Sequence, residues 1–335
     1  MIRLLNNPTF DNERNILNAD LFVNNLKNTL KAFNLHTKVT YTVYRNITIY
    51  HITWTDDKEY EDILEYRKEI ALSLGIRSEE LEIKKVSENI IEITVQNMKK
   101  EPLTLKELLS EYKKDNVFKV AIGMDEKDNI VYFDFDKEKS LLVTGVSGTG
   151  KTNLFNNIIM NILINNSDTK VIILDSQGIN YNIYDSIYEV VNKEEKIIDR
   201  IKKLRKEFEE KIKNNNTDKI VVLIDEIYEI LNIEPSIKDD INYLLEVGST
   251  AGMHMIISTD SVLEDNTYDL FKKDNISKLS FYLTSRSEYN LFMNEVINES
   301  LNNDGMYLGK NKNLIRLSIP LINDEEIERV VSSKK

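Results

Sequence analysis

The 335-residue sequence contains no cysteine. Disulfides, thiol nucleophiles and zinc–thiolate sites are therefore excluded. Histidine is almost as scarce. His36, His51 and His254 are scattered without metal-ligand spacing and read as structural or surface residues. No apolar run approaches the ~18 residues of a membrane span, and the N-terminus lacks a signal-type apolar segment. A cytoplasmic chain with no direct membrane insertion is expected. There is one tryptophan, Trp54, which reads as a packing anchor rather than a stacking platform. Basic charge is outweighed, with 44 Lys and Arg against 56 Asp and Glu, a net −12. Such a chain is not an obvious nucleic-acid coat, although a local basic loop can still act.

Glycine is also sparse, at 10 residues, yet three of them fall in Gly145-Val146-Ser147-Gly148-Thr149-Gly150-Lys151-Thr152. This stretch matches G-x-x-x-x-G-K-[ST] at every fixed position. Glycine is needed where the backbone turns through positive φ and closes its N–H groups on phosphate oxygens. All eight residues are thus expected to contact ATP, with Lys151 reaching the β/γ-phosphates and the Thr152 hydroxyl holding Mg2+. An apolar run, Leu141–Val143, precedes the loop. Leu154, Ile158, Ile159 and Ile162 follow at helical spacing, so the loop meets a helix N-terminus, where the dipole favours an anion.

Downstream, Asp225-Glu226 directly follows the apolar run Ile220–Ile224. In phosphoryl transfer, Asp225 would bind Mg2+ through water and Glu226 would orient or deprotonate the attacking water. Ser258-Thr259-Asp260 ends another apolar run. Strand C-termini of a parallel sheet face the ligand crevice, so Thr259 is expected to sense the γ-phosphate.

Residues 1 to about 17 read as a loose start. Asp20 is expected to cap a helix to Phe33, followed by a hairpin over 39–43 and 47–54. A helix over 58–74 ends at Gly75, and strands follow near 80–84 and 89–95. These make a small α+β domain, residues 1–100. A charged connector with a short helix (Leu105, Leu108, Leu109) opens the second domain, residues 101–335. There strands near 117–122, 130–135, 141–143, 171–174, 220–224, 253–257, 279–283, 305–308 and 314–318 are interspersed with helices. The helices fall at 152–164, 193–214, 236–247, 287–297 and 324–332. Ser236 and Asp239 stand in capping-box spacing. The alternation predicts an α/β fold with a mainly parallel sheet.

Several stretches together resemble the FtsK/SpoIIIE family of DNA-translocating ATPases, within the FtsK–HerA superfamily. They are Leu141–Thr152, Ile220–Glu226, Ala251-Gly252-Met253-His254 through Thr259, Ile276–Phe281, Asp304–Leu308 and Asn323–Val331. Ile70–Gly75 and Leu103–Leu109 fall where that family's β domain has similar segments. The resemblance implies a RecA-like P-loop motor preceded by a β-type domain. It also implies a ring, a homo-hexamer around double-stranded DNA, with ATP between neighbouring subunits and a sequence-independent grip on phosphates.

The chain departs from the family pattern in places. The membrane-spanning N-terminus and the C-terminal winged helix are not seen, so anchoring would fall to a membrane-bound or loading partner protein. Asp260 stands where the family has Gln, Ser249 where a basic residue is usual, and Asn290 where an Arg is usual. Arg286 is the nearest candidate for an arginine acting in trans, and Lys272, Lys273 and Lys278 are candidates for gripping DNA. The expected function is ATP-driven translocation of double-stranded DNA, for transfer or packaging by a plasmid, conjugative element or virus. The alternatives are a protein-secretion ATPase or a nucleotide-dependent assembly subunit with little turnover.

Overall fold

Strands that are apolar at successive positions have no polar face to offer water, so both sides of their sheet must be covered. The computed structural model of the chain has such a sheet. It describes residues 1–7, 13–55, 60–79, 81–98, 101–112, 115, 117–273, 275–293, 304–309 and 311–334. The chain divides into two compact units, one comprising Thr9–Pro102 with Glu126–Asn129, the other Met1–Pro8, Leu103–Asp125 and Ile130–Lys335.

The smaller unit holds α1 (Glu13–Ala32), β1 (Thr37–Val43), β2 (Ile47–Trp54), α2 (Tyr60–Leu64), α3 (Arg67–Ser73), β3 (Glu82–Ser87) and β4 (Ile90–Gln96). Its strands form an antiparallel sheet in the order β1-β2-β4-β3. Alternate residues Tyr50, Ile52 and Trp54 of β2 and Ile91, Ile93 and Val95 of β4 join Leu26 and Leu30 of α1 in one core. The expected hairpin is present, and Trp54 is 1% exposed, as a packing anchor requires. Helix α1 begins seven residues before Asp20. That residue lies inside the helix, where its carboxylate accepts a bond from Tyr41 Oη at 2.8 Å. The expected helix over 58–74 is two helices parted at Tyr66, whose ring stacks on Phe33; positions 58 and 59 lie outside the described residues.

The larger unit opens with α4 (Leu105–Ser110), the antiparallel pair β5 (Lys119–Met124) and β6 (Ile130–Asp134), and α5 (Phe135–Glu138). Then come β7 (Leu141–Thr144), α6 (Lys151–Asn165), β8 (Lys170–Asp175), β9 (Glu189–Val191), α7 (Glu194–Lys213) and β10 (Ile220–Asp225). These are followed by α8 (Ile227–Ile233), α9 (Ile237–Val247), β11 (Met253–Thr259), α10 (Asp265–Phe271) and β12 (Ser277–Ser280). The chain closes with α11 (Arg286–Met293), β13 (Gly305–Leu308), β14 (Leu314–Leu317) and α12 (Asp324–Ser332).

Eight strands form one sheet in the order β14-β13-β12-β7-β11-β10-β8-β9, parallel from β12 to β9 and antiparallel at β13 and β14. The twofold period of a strand sorts its residues between two cores. Leu142, Ile172, Leu174, Val222 and Ile224 meet α7, α8 and α9 on one side. Leu141, Val143, Val171, Ile173 and Leu223 meet α6 on the other. This is the mainly parallel α/β fold that the alternation predicts.

Four short elements, α5, β9, α8 and α10, have too few residues to show a period and were not foreseen. Ser236 does not cap α9: its hydroxyl bonds the Glu234 carboxylate at 2.5 Å. The capping box lies instead at Asn323 and Glu326, opening α12. Of the helix expected over 287–297, the part after Met293 lies outside the described residues.

Candidate nucleotide site

The glycine-rich loop leaves the C-terminal end of β7 and enters α6 at Lys151. Strand β7 lies between β11 and β12, so the loop sits in the middle of the sheet's carboxyl edge, where crevices form in open α/β folds. Gly145, Gly148 and Gly150 take φ of 151°, 80° and 120°. At Gly145 even a methyl group would meet Phe281 Cβ at 2.6 Å, so the loop is pressed against the segment after β12. The Val146 N–H donates to Tyr282 O at 3.0 Å, and Thr149 Oγ1 donates to Val146 O at 2.7 Å. The loop shape is thus set by backbone and close packing before any ligand arrives.

A cavity of about 250 Å3 opens over this loop, lined by Ser147, Gly148, Gly150, Lys151 and Thr152 on one side and by Gln177, Asp225 and Glu226 on the other. A larger hollow, about 690 Å3, lies by Lys170 and Ile220, at the N-terminal ends of β8 and β10. That is the opposite edge of the sheet, away from the loop, and the smaller cavity is the one with the chemistry.

Lys151 is 6% exposed and donates to Gly145 O at 2.6 Å. Its ammonium also lies 3.1 Å from Glu226 Oε1 and bonds the Asp260 carboxylate. Asp225 is buried at the end of β10, where a charge needs compensation. Ser258 Oγ donates to its Oδ1 at 2.5 Å and Tyr181 Oη to its Oδ2 at 2.9 Å. Burial still pushes the Asp225 carboxyl above its ordinary range, against both hydroxyl bonds. Glu226 has φ 52° and ψ 61°, a left-handed conformation costing a non-glycine residue about 1–3 kcal/mol. Its N–H donates to Ser258 Oγ at 3.0 Å, and its Oε2 accepts from the Asp260 N–H at 2.8 Å. Burial pushes its carboxyl up to about 8, with Lys151 opposing the rise.

Of the residues expected to act, the structure brings Ser147, Gly148, Gly150, Lys151, Thr152, Asp225 and Glu226 to one cavity, while Gly145, Val146 and Thr149 do not line it, Gly145 being packed on Phe281 and the Val146 N–H being taken by Tyr282 O. Thr259 is not brought there. Its hydroxyl is buried and donates to Ser261 O at 3.0 Å. Neighbours on a strand point to opposite faces, and it is Ser258 that faces Asp225. Arg286 is exposed at the start of α11, as is Asn290 one turn on. Lys278 is 1% exposed, its ammonium 5.3 Å from the Phe292 ring centroid, and so cannot grip a solvent-side ligand. Lys272 and Lys273 pair with Asp269 and Glu246.

Tyr181 and Gln177 were not foreseen, and Ser258 was named only as part of a strand end, without its bond to Asp225. Ser258 becomes legible only through register: Ile257 pairs with Ile224, so the next residues on β11 and β10 adjoin. Tyr181 follows β8 by six residues and carries no local signal.

The donor set fits Mg2+. Tyr181 Oη donates to Asp225 Oδ2, and Asp225 and Thr152 line the same cavity, so one carboxylate and one alcohol face a common space. A hard cation of this size takes few protein oxygens and keeps waters and phosphate oxygens as its other ligands. Among the described residues no group of three or more His, Cys, Asp or Glu could hold a metal.

A parallel sheet with a glycine loop, a lysine at the helix start and a strand-end Asp-Glu pair defines a P-loop ATPase. The FtsK/SpoIIIE family matches residues 105–272, half of the chain, and the chain belongs to that family. Curated relatives include the DNA translocase FtsK of Caldanaerobacter subterraneus subsp. tengcongensis, 26% identical over 92% of this chain and 48% of that protein. The DNA translocase FtsK of Clostridium tetani is 27% identical over 92% of this chain and 46% of that protein. The chain spans about half the length of these relatives. Among solved structures, the pCW3 conjugation coupling protein TcpA, determined with ATPγS, superposes with a TM-score of 0.58 at 14% identity. That match covers 94% of this chain and 99% of TcpA. The cytoplasmic domain of the Thermomonospora curvata type VII secretion ATPase EccC gives a TM-score of 0.60 at 15% identity, over 69% of this chain and 34% of that one. These two likenesses concern the fold.

Proposed function

We propose that the chain binds ATP with Mg2+ in this cavity, hydrolyses it, and uses the energy to move double-stranded DNA. The observation that carries this reading is the meeting of Lys151, Asp225 and Glu226 across one cavity in a chain of the FtsK/SpoIIIE family. The relatives named DNA translocase FtsK support DNA as the substrate.

Loop N–H groups of the cavity-lining residues Ser147, Gly148, Gly150, Lys151 and Thr152 would cradle the phosphates, and Lys151 would neutralise charge on the β/γ oxygens. Thr152 and Asp225 would hold Mg2+, which when bound draws electron density from the terminal phosphate oxygens. Glu226 would accept the proton of the attacking water. A base whose pKa is raised toward the working pH suits that task. Thr259 would hold the turn on which Asp260 sits rather than touch the nucleotide.

In this reading the smaller unit, Thr9–Pro102 with Glu126–Asn129 rather than 1–100, acts as a β-type domain and the larger unit as the motor, in a cytoplasmic homo-hexameric ring on DNA. Arg286 would face a neighbouring subunit, and a membrane-bound or loading protein would recruit the ring. No described helix is long and apolar enough to cross a membrane. DNA transfer or packaging for a plasmid, conjugative element or virus is the process proposed.

Phosphate release with and without duplex DNA tests the reading. Duplex is expected to stimulate turnover. Lys151→Ala and Glu226→Gln are each expected to lower it at least ~100-fold, the usual loss when one transition-state contact is removed. Unchanged turnover in both variants would overturn the site, and indifference to duplex would overturn DNA as the substrate. The net charge of −12 favours a second reading, a motor for protein export. Salt-sensitive retention of duplex on a gel separates the two. The contact between Lys151 and Asp260 favours a third, an assembly subunit with little turnover, which rapid steady-state phosphate release would exclude.

A further inference from the structure

A lysine ammonium has three protons to donate and no capacity to accept. Lys151 donates to Gly145 O and to the Asp260 carboxylate, and Glu226 Oε1 lies 3.1 Å from its ammonium as an ion-pair partner. Three oxygens therefore already surround this 6%-exposed ammonium, and a phosphate oxygen that is to reach it must take the place of one of them.

The three acceptors differ in how readily they can leave. Gly145 O belongs to the loop backbone. Glu226 is 5% exposed, and its other carboxylate oxygen is held by the Asp260 N–H at 2.8 Å. The side chain of Asp260 is 44% exposed and sits just past the end of β11, so it can turn into water without burying its charge. Asp260 is the acceptor that yields.

We propose that Asp260 occupies on Lys151 the place of the terminal phosphate of a nucleoside triphosphate, a competitor that a triphosphate must displace and a diphosphate need not. This inference rests on the reading of the cavity as an ATP site. The lysine of such a loop reaches the β/γ-phosphates, and the residue that readies the attacking water stands beyond the γ-phosphate. Asp260 is bonded through its N–H to that residue, Glu226, and so lies at the terminal-phosphate end. A diphosphate stops short of that end and leaves the Asp260–Lys151 contact in place. With a triphosphate the contact opens, and the displaced carboxylate also faces a like charge. Asp260 is therefore a positioning residue, acting through Lys151, that sets the preference between triphosphate and diphosphate.

Calorimetric titration of the full chain with Mg2+ and either ADP or a slowly hydrolysed ATP analogue tests this. Asp260→Asn and Asp260→Gln are expected to bind the triphosphate about tenfold tighter, the scale of one charge-assisted hydrogen bond removed from competition, with ADP affinity changed by less than about threefold. Asp260→Glu keeps the charge and is expected to show no such gain. Melting temperatures close to that of the parent chain would show that the variants fold. If the parent binds both nucleotides and neither neutral variant gains triphosphate affinity, the proposal is overturned. Equal tightening of both nucleotides overturns it as well. If the parent takes up neither nucleotide, the ATP reading fails first and this inference falls with it.

Discussion

The two walls of the cavity are built in different ways. On one side, Ser147, Gly148, Gly150, Lys151 and Thr152 of one continuous loop make a surface mostly of backbone, shaped by positive φ and by Phe281 pressed against the loop. On the other, Asp225 and Glu226 line the cavity and are held by bonds from Ser258, Asp260 and Tyr181, which belong to two further stretches of chain. The first wall tolerates little change of shape but holds little charge. The second concentrates carboxylates in a buried place and depends on hydroxyls, one lysine and a left-handed glutamate to keep them there. The difference teaches that the loop wall is limited by sterics and the strand-end wall by electrostatics.

Changes confined to one wall should break the comparison cleanly. The largest stability effect belongs to the loop wall. Gly145→Ala puts a methyl group 2.6 Å from Phe281 Cβ and 2.8 Å from Thr149 Oγ1 at a φ of 151°. Overpacking and backbone strain together should cost about 3 kcal/mol, read as a lowered urea midpoint, with nucleotide uptake lost. A variant as stable as the parent would show that the loop relaxes freely.

A smaller loss is expected on the opposite wall. Ser258→Ala removes the hydroxyl that joins Asp225 Oδ1 to the Glu226 N–H, leaving a buried carboxylate oxygen and amide short of a partner. The expected cost is about 1–3 kcal/mol in the urea midpoint, with no steric change. A loss under about 0.5 kcal/mol would show that water replaces the hydroxyl.

The smallest effect has the opposite sign and depends on pH. Burial pushes the Glu226 carboxyl from an ordinary 4.5 up to about 8, with Lys151 opposing the rise. Below the ordinary value the group is neutral in both states and costs nothing. As pH climbs toward 8 the unfolded chain releases a proton that the folded chain retains, so stability falls across that window. Glu226→Gln removes this dependence. Without nucleotide it should match the parent near pH 5 and exceed it by roughly 1–2 kcal/mol near pH 8, less than the full shift because Lys151 loses a partner. Urea midpoints at three pH values check this, and a difference that does not grow with pH would show that burial does not govern the group.

The two walls were not equally legible in the sequence. The loop could be read because every constraint on it is local: glycine where φ is positive, an apolar strand before, a helical period after. Asp225 and Glu226 could be read because an apolar run ends on them. Ser258, Tyr181 and the turning away of Thr259 could not, since they depend on strand register and on which face of β11 points to its neighbour. The same limit applied to the fold. Long periodic segments such as α6, α7 and β10 were evident. A helix of seven residues such as α8 and a strand of three such as β9 leave no period to count. At Ser236 the capping spacing was matched without the geometry, because the hydroxyl found Glu234 first.

By itself, then, the order of residues determined a phosphate-shaped loop, its flanking strand and helix, and the family, since each rests on neighbours along the chain. Only the tertiary structure decided what Lys151 touches, how the buried Asp225 carboxyl is hydrogen-bonded, and that Asp260 meets Lys151 and Glu226. Those contacts join residues over 30 to over 100 positions apart, and parallel strand pairing is what brings them within a hydrogen bond of one another.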